Sequence, residues 1–144
     1  MVDRDKLEGL IRNLRRYTGV LRQIAQRDET RFMSDPVVIG AARYYLQVAI
    51  ETCINMANHL IGSERLRAPK DYKDTFAVLN EAGIVPAECA RTMRELAGLR
   101  NLLVHLYWEV DDRMVYEGIR TDLADFETFV RYIMAHLDQG MSPE

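Results

Sequence analysis

The sequence predicts an all-α protein, an up-down bundle of four long helices plus one short helix. Three observations carry this expectation. Apolar residues recur in steps of three and four along four separate stretches of the 144-residue chain, the spacing that gathers them onto one face of a helix. No stretch shows the strict apolar–polar alternation of a half-buried strand. Pro36, Pro69 and Pro86 fall at helix starts or between helices, and Gly62 and Gly83 stand where helices would stop.

The first helix is expected from about Asp3 to Arg27. Leu7, Leu10, Leu14, Tyr17, Leu21 and Ile24 form one apolar stripe on an otherwise charged segment, and Asp3 or Asp5 can cap its start. Asp28 to Asp35 reads as a connection. Pro36 suits the first position of a second helix, where its missing N–H costs nothing, and this helix should run to about Ile61. Its stripe of Ile39, Ala42, Leu46, Ala49, Cys53, Met56 and Leu60 is widened by Ala41, Tyr45 and Val48. Such breadth marks a helix that is either central or shared with a partner chain. Along another face Arg43, Gln47, Glu51 and Asn55 follow at i, i+4, where they can pair. A surface salt-bridge ladder explains that row as well as a site does.

Ser63 to Lys73 is a polar loop in which Arg65, Arg67, Lys70 and Lys73 are candidates for contact with phosphate, although charge in a loop is ordinarily just solvation. A short helix of about Thr75 to Ala82 follows, with Phe76 and Leu79 facing in and Gly83 closing it. Pro86 opens the next helix, which turns Cys89, Met93, Leu96, Leu99 and Leu103 inward. Trp108 to Asp111 is the break. The last helix is expected from about Asp112 to Gln139, on Val115, Ile119, Leu123, Phe126, Val130, Ile133 and Leu137, with Gly118 softening its first turns. Residues 140–144 should fray. The whole, 1–144, has the length of a single domain with a core of its own.

Composition excludes several classes. The longest apolar runs are interrupted before the ~18 residues that a membrane span needs, and Met1 to Arg16 is charged throughout, unlike a secretory leader. Cys53 and Cys89 are isolated at apolar helix positions, as reduced core residues are. A cytoplasmic protein is expected. No Glu-x-x-His pair, Cys/His cluster, Gly-rich phosphate loop or G-x-S-x-G is present, so neither a metal nor a cofactor is called for. The seven methionines read as core filler, and His59 and His136 as structural. Net charge is −3, but it is unevenly spread: residues 1–31 hold eight Lys/Arg against five Asp/Glu, and residues 106–144 three against nine. Any contact with a polyanion should therefore be local.

One stretch does not fit a helix built only for packing. Arg100-Asn101-Leu102-Leu103-Val104-His105-Leu106-Tyr107 sets a permanent cation, an amide, an imidazole and a phenol in mostly apolar sequence. These groups suit cleavage of RNA without a metal. Imidazole exchanges protons near neutrality, so His105 can take a proton from a 2′-hydroxyl or give one to a leaving oxygen. Arg100 offers a fork of donors to phosphate oxygens as charge builds on them. Asn101 can hold a phosphate oxygen or orient the histidine, and Tyr107 offers an aromatic contact and a modifiable hydroxyl. On one regular helix, at about 100° per residue, Arg100 and Tyr107 share a face while His105 lies roughly 140° from Arg100. Either the helix ends or distorts near Val104, or a second copy completes the site across a two-fold axis; the shared cleft is preferred. An isolated R-x4-H also arises by chance, with Arg a surface charge and His a helix-end residue.

The spacing R-N-x-x-x-H-x-Y resembles the signature of HEPN-domain ribonucleases, and more narrowly of the HepT toxins of toxin–antitoxin pairs. The likeness extends to R-Y-Y-L-Q-V-A-I-E (Arg43–Glu51), Y-K-D-T-F-A-V-L (Tyr72–Leu79) and the segments after the motif, over roughly residues 40–130. The resemblance implies a HEPN-type helical domain and a homodimeric endoribonuclease toxin with Arg100 and His105 catalytic and Asn101 supporting. It also implies an MntA-type nucleotidyltransferase antitoxin that attaches AMP to Tyr107. RNA, as tRNA or mRNA and not DNA, is the implied substrate, with Arg43, Arg65, Arg67 and Lys70 as further candidate contacts. The alternative is a non-catalytic helical module that binds a minimal nucleotidyltransferase or a nucleotide.

Overall fold

A computed structural model describes residues 2–140. Among these the chain forms α1 (Arg4–Ile24), α2 (Glu29–Met33), α3 (Pro36–Ser63), α4 (Tyr72–Glu81), α5 (Ala87–His105), a 3-10 turn (Tyr107–Glu109), α6 (Asp112–Thr121) and α7 (Leu123–Gly140). It is all-helical, as expected. Four long helices make the bundle: α1 packs on α3, α3 on α5, α5 on α7, and α7 back on α1. Ion pairs fix their directions. Arg4 at the start of α1 reaches Asp138 near the end of α7, and Arg15 reaches Glu127, so these two run antiparallel. Glu64, just past α3, meets His136 of α7 at 2.7 Å, so α3 and α7 run alike.

Aspartates start most of the helices. Asp3, Asp28, Asp35, Asp71 and Asp111 each accept a backbone N–H of the first turn, satisfying donors that have no partner within the helix. Helix ends are less uniform. Gly83, at φ 77°, closes α4 as the sequence suggests, with Ile84 N–H bonded back to Leu79 O. At the end of α3 the left-handed residue is Arg65, at φ 55°, and Leu66 N–H returns to Ile61 O. Gly62 is thus still inside α3, because the same 6→1 closure forms three residues later on a non-glycine residue.

The breadth of the second predicted helix is explained by centrality. α3 packs against α1, α2, α4, α5 and α6, and Ala42, Leu46, Ala49, Ile50, Cys53, Met56, Ala57 and Leu60 are buried along it. Its length and apolar composition alone would suit a membrane span, yet that surface is the core of the bundle. On α1 the buried line is Leu7, Ile11, Leu14, Thr18, Leu21 and Ile24, with Leu10 and Tyr17 half-buried at its edge.

Two predicted elements differ. The connection 28–35 contains α2, one capped turn that buries Phe32 completely against the Tyr116 ring at 5.0 Å. The last helix is two. It breaks at Asp122, between α6 and α7, although every apolar residue predicted for its stripe is buried. Of the expected frayed tail only Gly140 is described, at the end of α7; 141–144 lie outside the described residues.

Candidate active site

The motif occupies the last two turns of α5 and the turn after it. The helix stays regular through His105, since Leu106 N–H still bonds Leu102 O at 2.9 Å, and it stops at Leu106 (φ −134°, ψ 44°). The helix thus stays undistorted at Val104 and ends two residues before the break expected at Trp108. Arg100 and His105 remain on one helix, and Tyr107 lies on the 3-10 turn and not on the Arg100 face of α5.

Arg100 is held on three sides. Its Nε donates to Glu51 Oε1 at 2.8 Å, and its Nη2 lies 2.8 Å from the same oxygen. Its Nη1 donates to Asn101 Oδ1 at 3.3 Å. The Tyr72 ring, from the first residue of α4, covers the guanidinium at 4.9 Å. Gln47 donates to Glu51 Oε1 as well, at 3.3 Å. The row Gln47–Glu51 on α3 therefore meets the motif rather than forming a surface ladder. Gly98 of α5 leaves room for the end of the Lys73 side chain of α4, since a Cβ there would sit 2.9 Å from Lys73 Cε, and this flexible stem would have to shift.

His105 differs in setting. It is exposed at the helix end, and its ring makes no hydrogen bond among the described residues. Tyr107 and Trp108 beside it are 59% and 66% exposed, their rings edge to face at 5.2 Å. Leu102, Leu106 and, on α3, Tyr44 add exposed apolar surface.

Arg43 has a structural task. Its Nε donates to Asp112 Oδ1 at 2.7 Å, its Nη1 to Tyr107 O at 2.8 Å and its Nη2 to Val110 O at 2.6 Å. All three nitrogens thus fasten the 3-10 turn and the start of α6 onto α3, and RNA would have to compete with these bonds. Charge-assisted hydrogen bonds contribute about 1.5–3 kcal/mol each. Arg43→Ala is accordingly expected to lower the unfolding midpoint and to speed amide exchange at 107–112 most of all. Arg43→Lys, which keeps the charge on Asp112 without the fork, should recover only part of either effect. Unchanged exchange at 107–112 in Arg43→Ala would show that the turn holds itself.

Arg67 is likewise engaged. It bridges Asp74 (2.7 and 2.9 Å) and Glu81 (2.8 and 3.0 Å), tying the 64–71 loop to α4. Hydrogen bonds from Arg67, then from the Lys70 N–H, hold the Asp74 carboxyl well below the usual carboxylate range. A depressed carboxyl keeps its partner as pH falls through that range and releases it only below, so the clamp should outlast ordinary carboxylates on acidification. The clamp is exposed, so its contribution to stability is small. Arg65 and the Lys70 side chain are exposed and make no hydrogen bond or ion pair among the described residues. Of the loop's four phosphate-contact candidates, Arg67 is thus a clamp, Arg65 and Lys70 are available, and Lys73 lies on α4 with the end of its side chain beside Gly98.

The remaining candidates for chemistry are accounted for by packing. His59 Nε2 accepts the Asp3 N–H at 3.1 Å. Burial pushes the Cys53 thiol far up and that of Cys89 up to about 11, leaving both inert as nucleophiles. Among the described residues no three His, Cys, Asp or Glu side chains gather as metal ligands would.

Known proteins resemble this chain in sequence and in fold. The sequence model of the family described as Ribonuclease HepT-like matches residues 8–133. Over 131 residues the chain is 28% identical to the mRNA nuclease HepT of Shewanella oneidensis, which covers 91% of this chain and 95% of that protein. It is 30% identical over 94 residues to the tRNA nuclease HepT of Aphanizomenon flos-aquae, covering 64% of this chain and 63% of that one. The fold is similar to the tri-AMPylated Shewanella oneidensis HEPN toxin in complex with MNT antitoxin, with a TM-score of 0.86, 27% identity, and 92% of this chain and 99% of that chain covered.

Proposed function

This chain belongs to the HepT-like ribonuclease family and is an endoribonuclease; on that premise we propose how it cuts RNA and how it is held in check. The carrying observation is one juxtaposition on α5. Arg100 is oriented in advance by Glu51, Asn101 and Tyr72, and five residues later the exposed His105 makes no hydrogen bond among the described residues. That division of labour suits transesterification. The 2′-oxygen of a ribose attacks the adjacent phosphorus, the bond to the 5′-oxygen of the next nucleotide breaks, and a 2′,3′-cyclic phosphate remains. Arg100 stabilises the extra charge on the phosphoryl oxygens. His105 moves protons.

Two protons move, one off the 2′-oxygen and one onto the leaving oxygen, and they move at opposite sides of the phosphorus. A single imidazole does not serve both at once. Two copies related by a two-fold axis supply two imidazoles and two guanidinium groups to one cleft, which also removes the angular mismatch of roughly 140° within one helix. The exposed Tyr44, Leu102, Leu106 and Trp108 are the apolar surface such a homodimer would cover. No step calls for a metal. The substrate is RNA, tRNA or mRNA as in the named relatives, with Arg65 and Lys70 available to its backbone. The protein acts as a toxin, and its partner is an MntA-type nucleotidyltransferase that places AMP on Tyr107.

The test uses purified protein with transcribed tRNA and mRNA in excess EDTA. Cleavage leaving cyclic phosphate ends, lost in Arg100→Ala, supports the mechanism; dependence on a divalent cation or full cutting by Arg100→Ala overturns it. Light scattering at micromolar concentration should give the mass of two chains, and a monomer there would contradict the shared cleft.

A further inference from the structure

The contacts of Glu51 point to a residue that the motif itself does not contain. Its Oε1 is the meeting point of Arg100 Nε, Arg100 Nη2 and Gln47 Nε2. The arginine side chain is 14% exposed and the glutamate 31%, so the pair is largely withdrawn from water. A guanidinium has five N–H groups. With Nε directed to Glu51 and one Nη1 hydrogen to Asn101, each terminal nitrogen keeps at least one N–H for an incoming oxygen. Tyr72 blocks one face of the plane. The arginine has thus lost its rotamer freedom before any substrate arrives, and the donors left over sit on the two nitrogens that form its end-on fork.

We propose that Glu51 is the positioning residue for Arg100: it fixes the guanidinium side-on so that the terminal N–H groups meet the phosphoryl oxygens of the RNA without reorganisation. The proposal rests on the reading of Arg100 as the group that stabilises charge on the phosphate. Two physical effects of Glu51 oppose each other. Its carboxylate fixes the arginine, which favours the transition state. It also cancels much of the arginine's charge, which weakens ground-state attraction for RNA. A residue that merely stabilised the fold would change neither kcat nor KM in this divided way. Gln47 fits the same scheme, since its amide N–H holds the carboxylate in place from one turn earlier on α3.

The experiment is a double-mutant cycle on one transcribed tRNA or mRNA that the wild type cuts, with thermal unfolding run on every variant. Glu51→Ala should lower kcat by roughly 10- to 100-fold, the scale of a misplaced catalytic group, with KM unchanged or lower because a negative charge has gone. Glu51→Gln keeps the volume and an acceptor oxygen, so it should recover most of kcat while KM falls. In the Arg100→Ala background neither Glu51 substitution should reduce kcat further. Wild-type kcat in Glu51→Ala overturns the proposal, as does equal loss in Glu51→Ala and Glu51→Gln, or an additive loss on top of Arg100→Ala. If Glu51→Ala fails to melt cooperatively, Glu51→Gln decides, and a kcat as low as that of Arg100→Ala overturns positioning. Should Arg100→Ala itself cut at the wild-type rate, the reading of Arg100 fails, and that result is separable from the behaviour of Glu51.

Discussion

His105→Ala is expected to fold as the wild type does and to cut RNA roughly 10²–10⁴-fold more slowly, the range that a positioned acid or base contributes. Folding should be spared because the ring is exposed and no hydrogen bond among the described residues depends on it. The helix it ends is closed by the Leu106 N–H, a backbone group that alanine leaves in place. Catalysis should be lost because the other two histidines are engaged elsewhere, His59 by the Asp3 N–H and His136 by Glu64, and burial pushes both cysteine thiols up. Mixing His105→Ala with Arg100→Ala chains separates a shared cleft from two independent ones. If each cleft draws on both copies, mixed dimers should regain part of the activity that neither variant has alone. An His105→Ala protein that melts normally and cuts at the wild-type rate would remove the imidazole from the mechanism.

The plan of the bundle was legible because apolar spacing reports burial directly, and burial is what α1, α3, α5 and α7 share. The same signal hid the break at Asp122. The stripe Val115, Ile119, Leu123, Phe126 continues across it in steps of three and four, so period alone sees one helix where the chain makes two. α2 was hidden by its size, since a five-residue helix with one buried phenylalanine has no period to read. The motif and its family likeness were also legible in the sequence, and the family match over residues 8–133 agrees with that likeness. The neighbours of the motif were not. Glu51 stands 49 positions from Arg100, and Arg43 69 positions from Asp112. Only the bundle brings these together, and i, i+4 spacing on α3 showed a charged row without showing what it faced. The apolar pattern starts α4 near Thr75, whereas the structure starts it at Tyr72, which sets the Tyr72 ring on Arg100. The distances separating these pairs in sequence are the physical reason that the catalytic candidates were readable and their supports were not.

Incubation with an MntA-type nucleotidyltransferase and ATP is expected to raise the mass of this chain by whole AMP units, all of them on Tyr107, and to silence it. The phenol oxygen attacks the α-phosphorus of ATP, an O–P bond forms as pyrophosphate leaves, and the phenolic proton is released. Access favours this residue. Tyr107 is 59% exposed on a 3-10 turn, and the Arg43 guanidinium holds its carbonyl, so a second protein meets an open side chain on a fixed backbone. Silencing follows from charge and size. Each phosphodiester brings about one negative charge two residues from His105, and on the proposed mechanism that charge would repel the phosphate Arg100 is to bind while the nucleotide crowds His105. Tyr107→Phe removes the attacking oxygen but keeps the ring, its contact with Trp108 and the carbonyl that Arg43 holds. Cleavage by Tyr107→Phe should therefore be the same with and without the transferase and ATP, whereas the wild type should lose cleavage only when both are present. Phosphodiesterase removal of the adduct should restore the wild type. Equal mass gain in wild type and Tyr107→Phe would place the modification elsewhere, and a fully modified wild type that still cuts RNA would show that charge and bulk at this turn do not reach the catalytic groups.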